Sequence, residues 1–133
     1  MSAITTHLLD TVLGKPAAGV ALRLEKLDGG GWLEVPDVEV LHGEPVERVH
    51  DAPCGWVEVA ASATDADGRC RDLAADAPAG DYRLTFDTSS YFKRQGRTSI
   101  YPEISITFTC DGKEHYHLPL LLSDNSYTTY RGS

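Results

Sequence analysis

Apolar residues recur at every second position in several short stretches of this chain: Val20, Leu22 and Leu24; Tyr82, Leu84 and Phe86; Ile104, Ile106 and Phe108. A period of two is that of an extended strand with one face buried, because successive side chains leave a pleated backbone on opposite sides. These stretches predict half-buried antiparallel strands. Turn-forming residues separate them at Gly14-Lys15-Pro16, Asp28-Gly29-Gly30-Gly31, Asp67-Gly68, Pro78-Ala79-Gly80-Asp81 and Asp111-Gly112,. Many short strands with such punctuation predict an all-β fold, a two-sheet antiparallel β-sandwich. One short helix is expected, where the capping residues Asp87-Thr88-Ser89-Ser90 lead into residues 91–95 and Gly96 can end it,.

With 133 residues, 41% of them hydrophobic, the chain can bury one core without staples, so a single domain over residues 1–133 is expected,. Gly31-Trp32-Leu33-Glu34-Val35 is echoed by Gly55-Trp56-Val57-Glu58-Val59, and the acidic, irregular residues 36–53 lie between them. A hairpin insertion or a local duplication accounts for this, with 36–53 as an inserted loop; two copies are too few for a repeat architecture.

Twenty acidic residues against twelve basic ones give a net charge of -8, which repels a phosphate backbone, so no nucleic-acid partner is expected,. No stretch approaches the roughly 18 consecutive apolar residues of a membrane span, and the N-terminus lacks a basic segment followed by an apolar run,. Cys54, Cys70 and Cys110 are odd in number and form no CxxC pair, which argues against a disulfide framework and a cysteine zinc site,. No membrane association and a cytoplasmic location are the expectations. Dinucleotide, P-loop and nucleophile-elbow motifs are missing, so any catalysis relies on side chains and water.

Histidine is the side chain suited to proton transfer near neutral pH, and five are present: His7, His42, His50, His115 and His117,. In His115-Tyr116-His117-Leu118-Pro119-Leu120-Leu121-Leu122 a strand puts both histidines on one face and Tyr116, Leu118, Leu120 and Leu122 on the other,. The leucine face reads as core, so the histidines face outward with Pro119 and Leu121, a mixture suited to a cleft wall or subunit interface. Pro119 suggests an edge strand or a bulge. Two solvated histidines, a catalytic pair, and a zinc site completed by His7 are the open readings. Thr64-Asp65-Ala66-Asp67-Gly68-Arg69 is not a calcium loop, because Ala63 stands where that loop needs its first oxygen ligand,. Asp67-Gly68 is read as a tight turn joining two strands, leaving Arg69 free for a role.

The chain resembles the 5-hydroxyisourate hydrolases, the transthyretin-related enzymes. The motifs that carry this are Thr6-His7-Leu8-Leu9-Asp10-Thr11, Gly14-Lys15-Pro16-Ala17, the 64–69 segment, Gly80-Asp81-Tyr82-Arg83, Tyr101-Pro102-Glu103-Ile104, the 115–123 segment and the terminal Tyr130-Arg131-Gly132-Ser133. The resemblance implies a transthyretin-like sandwich with one short helix and a homotetramer whose active sites lie between subunits. It implies hydrolysis of 5-hydroxyisourate to 2-oxo-4-hydroxy-4-carboxy-5-ureidoimidazoline in urate breakdown, without cofactor or metal. It further implies catalytic roles for His7, Arg69, His117 and Ser133, and substrate contacts from His7, Arg69 and Tyr130. Two Gly-Trp segments where such hydrolases usually have one are a departure from the family pattern. The alternative is a non-catalytic, transthyretin-like small-ligand-binding protein; transthyretin itself lacks the histidine, arginine and terminal Tyr-Arg-Gly-Ser set, which favours the enzyme.

Overall fold

Residues 2–28, 40–41, 44–45 and 55–132 are described by the computed structural model. The alternating stretches form strands: β1 (Ser2–Asp10), β2 (Lys15–Pro16), β3 (Ala21–Leu27), β4 (Val40–Leu41), β5 (Glu44–Pro45), β6 (Trp56–Ala63), β7 (Arg69–Ala77), β8 (Gly80–Phe86), β9 (Ile104–Cys110), β10 (Tyr116–Leu122) and β11 (Tyr127–Thr129). The helix α1 spans Thr88–Lys93. One sheet runs β11-β10-β1, with β2 and β7 both pairing with β1; the other runs β6-β3-β8-β9. Within the 36–53 stretch, β4 and β5 pair with each other as a separate two-stranded unit. Gly31, Trp32, His42, His50 and Cys54 lie outside the described residues.

The predicted core residues meet between the sheets, joined by Ile4 and Leu8 of β1. Leu22, Leu24, Tyr82, Leu84, Phe86, Ile104 and Ile106 from one sheet join Ile4, Leu8, Leu118, Leu120 and Leu122 from the other in one buried cluster. Each fully buried leucine or phenylalanine contributes about 1.5–3 kcal/mol of transfer free energy, so this interface dominates the stability of the sandwich.

The short turns at Asp67-Gly68, Pro78-Ala79 and Asp111-Gly112 join successive strands, and each crosses from one sheet to the other. Two expectations are corrected. The first sheet is mixed, because β1 and β10 run parallel. Finally, β10 is not an edge strand, since β1 and β11 flank it. Pro119 is tolerated because the outer ladder is interrupted beside it, between the Leu120–Thr129 pair and the His117–Gly132 bridge,. Its carbonyl accepts from the Thr129 hydroxyl at 2.8 Å, and Pro119, expected to face outward, is buried.

The helix begins as its capping residues predict. Asp87 Oδ1 accepts from the Ser90 amide at 3.2 Å and Asp87 Oδ2 from the Ser90 hydroxyl at 2.7 Å,. Gly96, at φ +66°, ends the segment, and the Arg97 amide returns to the Phe92 carbonyl at 3.0 Å,. Arg97 thereby reaches Asp10, the buried last residue of β1, through its Nη1 at 2.6 Å; the Tyr91 hydroxyl donates to the same carboxylate at 2.7 Å, and the amides of Val12 and Leu13 each donate at 3.1 Å. Arg97 also pairs with Asp124, which ties the helix to the loop before β11.

Burial pushes the Asp10 carboxyl up, but hydrogen bonds from Arg97, the Leu13 amide and Tyr91 together hold it below its ordinary 3.8,. A carboxylate with a depressed folded-state pKa stabilises the fold fully above its unfolded value and loses that contribution as pH falls through the folded one. Replacing Asp10 with Asn leaves Arg97 without its buried partner and should cost about 3 kcal/mol. Urea unfolding is expected to show that gap at pH 7 and to show it narrowing below pH 3.8.

Candidate functional site

Along β1, Ile4, Thr6 and Leu8 are buried while Thr5 and His7 lie partly exposed on the outer face. Parallel pairing sets Thr5 opposite His117 and His7 opposite Pro119; antiparallel pairing with β7 sets His7 opposite Arg69. Residues opposite one another in a sheet share a face, so Thr5, His7, His117 and Arg69 converge from three strands. The period-2 reading of the histidine strand is thus confirmed, and His7 and Arg69 are brought beside it.

The turn before β7 aims Arg69. Asp65 accepts through Oδ1 from the amides of Asp67 at 2.8 Å and Arg69 at 3.0 Å, and these bonds hold its carboxyl below the usual range although burial opposes them. Gly68, at φ +73°, donates its amide to the Asp65 carbonyl at 2.9 Å, while its own carbonyl accepts from the Leu8 amide at 2.7 Å. A Cβ there would lie 2.3 Å from the Leu8 carbonyl oxygen, so only glycine fits,. His7 Nε2 donates to the Asp67 carbonyl at 3.0 Å, which leaves Nδ1 as the lone-pair nitrogen of the neutral ring,.

A cleft of about 350 Å³ opens on this face, lined by Thr5, Thr6, Arg69, Arg71, His115 and His117. The Thr5 hydroxyl touches two imidazoles, His117 Nδ1 at 2.8 Å and His115 Nε2 at 2.9 Å. Desolvation, reinforced by the nearby Arg69, His115 and His7 charges, lowers the His117 pKa below the ordinary 6.5. At neutral pH His117 is therefore an uncharged imidazole beside a permanent cation, a combination suited to accepting a proton while opposing developing negative charge.

Among the described residues no three His, Cys, Asp or Glu side chains converge to hold a metal ion. His7 Nε2 turns to a carbonyl, and His115 and His117 share a hydroxyl, so the three imidazoles do not form one ligand set. Tyr130 is 54% exposed and does not line the cleft. Ser133 lies outside the described residues, but the amide of the preceding Gly132 donates to the His117 carbonyl at 2.7 Å and ties the end of the chain beside that histidine. Arg131 is turned away, over the Tyr116 ring and against Glu114. Sequence reasoning missed Thr5 and Arg71, although each stands two residues from a residue it singled out and so on the same face of a strand.

A β-sandwich with a mixed β11-β10-β1 sheet and a polar cleft on that sheet's outer face defines a transthyretin-like protein. The HIUase/Transthyretin family profile matches residues 4–132, and the chain belongs to that family. It is 40% identical to the 5-hydroxyisourate hydrolase of Mus musculus, over 99% of this chain and 96% of that one. It is 37% identical to the 5-hydroxyisourate hydrolase of Caulobacter vibrioides over the full length of both. Among solved structures, Klebsiella pneumoniae 5-hydroxyisourate hydrolase superposes with a TM-score of 0.74 at 34% identity, covering all of both chains. Sea bream transthyretin in complex with thyroxine gives 0.76 at 32% identity, covering 98% of this chain and 94% of that one.

Two outcomes follow from this geometry. In an NMR titration the His117 ring should protonate with a midpoint below 6.5. Gly68→Ala should lower unfolding free energy by more than about 1 kcal/mol, because a strained φ is added to a backbone clash; an unchanged urea midpoint would contradict the fit described for this turn.

Proposed function

We propose that this protein is a 5-hydroxyisourate hydrolase, opening the lactam ring with water to give 2-oxo-4-hydroxy-4-carboxy-5-ureidoimidazoline and using no cofactor. The observation that carries this reading is His117, braced by Thr5 and with its pKa lowered by desolvation and by Arg69, in one cleft with that arginine. The hydrolase names of the full-length relatives support it.

Lactam hydrolysis requires an activated water, stabilisation of the oxyanion formed at the attacked carbonyl, and a proton for the leaving nitrogen. His117 Nε2, which has no protein partner among the described residues, takes a proton from water as the oxygen bonds to the carbonyl carbon. Arg69 holds the substrate's ring oxygens and opposes the charge that builds on the carbonyl oxygen; its planar fork suits a flat, polar heterocycle better than an ammonium does. When the tetrahedral adduct collapses, the C–N electron pair returns to nitrogen, which receives the proton from His117. His7 positions the water or substrate through Nδ1, Tyr130 contacts the substrate, and Ser133 supplies a hydroxyl and the terminal carboxylate beside His117.

The cleft opens on the outer face of a sheet, so one chain supplies one wall. A homotetramer in which a second copy covers that face would exclude bulk water while keeping room for the attacking one, and would complete the site. The protein's partners are then its substrate and its own copies, without nucleic acid or membrane; among the described residues no helix is long and apolar enough to cross a membrane. We place it in the cytoplasm on the strength of its cysteine usage.

The test is the ultraviolet decay of 5-hydroxyisourate, freshly made from urate, with and without untagged protein. Strong acceleration is expected, and His117→Ala or Arg69→Lys should each lower kcat/KM by about 100-fold or more. An unchanged decay rate with folded protein would overturn the hydrolase reading in favour of a ligand-binding role.

A further inference from the structure

The Thr5 hydroxyl has one hydrogen and touches two imidazole nitrogens at ordinary hydrogen-bond distances, 2.8 Å to His117 Nδ1 and 2.9 Å to His115 Nε2,. A hydroxyl donates once and can accept twice, so at most one ring can accept from Thr5 and at least one must donate to it. The two rings therefore cannot choose their tautomers independently. Either His117 carries its proton on Nδ1 and presents a lone pair at Nε2, or His115 donates and His117 carries its proton on Nε2.

Three observations select the first arrangement. The permanently charged groups that share the cleft with His117 are Arg69 and Arg71 from β7, and a guanidinium only donates,. A third N–H aimed among those donors is disfavoured, whereas a lone pair at Nε2 complements them. Secondly, partial burial and the neighbouring Arg69 guanidinium oppose a further cation at His117, so the neutral ring dominates and its tautomer is what matters,. Arg131, on the C-terminal segment, is engaged with Glu114 and is not a competitor. Thirdly, when His117 accepts a proton at Nε2 its Nδ1–H is already in place, so the bond to Thr5 persists unchanged through the reaction. His115 is exposed and can settle into the required Nδ1–H form without being buried unpaired.

We infer that Thr5 and His115 are positioning residues for His117: a chain from His117 Nδ1–H to Thr5 Oγ1, and from the Thr5 hydroxyl to His115 Nε2, fixes the tautomer that leaves His117 Nε2 free to accept a proton in the cleft. His115 is then neither a spare surface histidine nor a metal ligand but the acceptor that orients the hydroxyl. The kinetic consequence rests on the hydrolase reading; the tautomer itself does not.

The experiment is long-range ¹H–¹⁵N NMR of the imidazoles in the full-length protein at pH 8, together with kcat/KM across pH. Wild type is expected to show His117 as the Nδ1–H tautomer. Thr5→Val, which keeps shape and removes the hydroxyl, should give a mixture or the Nε2–H form and lower kcat/KM at least about tenfold, since a wrong histidine tautomer is costly to base catalysis. Thr5→Ser should restore both the tautomer and most of the activity. His115→Phe, at an exposed position where folding is not at stake, removes the acceptor and should move His117 toward Nε2–H, because Thr5 is then free to donate to its Nδ1. An Nε2–H tautomer in the wild type, or an unaltered His117 spectrum in both Thr5→Val and His115→Phe, would overturn the inference. If wild type fails to hydrolyse 5-hydroxyisourate but the tautomer responds as described, the proposed function falls and the positioning chain stands.

Discussion

The pairing of β1 with β7 on one side and β10 on the other holds the site together. β1 and β10 come from opposite ends of the chain and run parallel, and their register sets Thr5 against His117. On the opposite flank of β1 the antiparallel register sets His7 against Arg69. Because a strand's side chains alternate, a slip of one residue at either boundary would turn Thr5 and His7 into the core and Thr6 and Leu8 out of it. Burial of Ile4 and Leu8 on the inner face therefore fixes the positions of the polar groups on the outer one. Stability and function are opposite faces of one register here.

That register is reinforced at its end by a charge. Asp10 is the last buried residue of β1, and its carboxylate gathers Arg97, Tyr91 and two backbone amides. A buried carboxylate is tolerated only when its lone pairs are occupied, and these four donors satisfy that condition. The short α1 helix exists largely to deliver two of them: Tyr91 lies within it, and Arg97 follows the Gly96 turn that ends it. Thr6 meets the same requirement more simply, donating its hydroxyl to the Leu118 carbonyl at 2.7 Å across the β1–β10 boundary.

Period-2 patterning exposed the strands whose inner faces are wholly apolar, such as β3, β8 and the first part of β9. It also placed His115 and His117 opposite the leucine face of β10. It was silent on the inner face of β1, where Ser2, Thr6 and Asp10 are buried and the apolar signal is diluted by polar residues whose partners are distant in sequence. Pairing partners were equally hidden: nothing local in residues 1–10 says that they meet residues 116–122 in parallel. For the same reason Asp67-Gly68 could be read only as a tight turn joining two strands, since turn chemistry specifies a reversal but not which sheet receives the next strand. Family resemblance pointed to His7, Arg69 and His117, and the fold brings those three side chains together. Thr5 went unnoticed because a threonine in a strand is unremarkable until its neighbours across the sheet are known.

The charge distribution resolves an apparent conflict between the whole molecule and its cleft. A net charge of -8 should disfavour binding of an electron-rich substrate at long range,. At physiological ionic strength that field is screened beyond roughly 8 Å, so the groups within the cleft decide binding. There, among the described residues, the lining side chains are two guanidiniums, two imidazoles and the Thr5 hydroxyl, with no carboxylate among them. Such a set is rich in donors and poor in acceptors, and it complements a planar heterocycle edged with carbonyl oxygens. The His117 Nε2 lone pair is the exception in that donor-rich wall. An acceptor isolated among donors attracts the proton of a water molecule, while the surrounding donors take up the negative charge that removal of that proton creates. The local electrostatics of β1, β7 and β10 therefore favour both halves of a hydrolytic step within one cleft, even in a molecule whose overall charge opposes the approach of an anion.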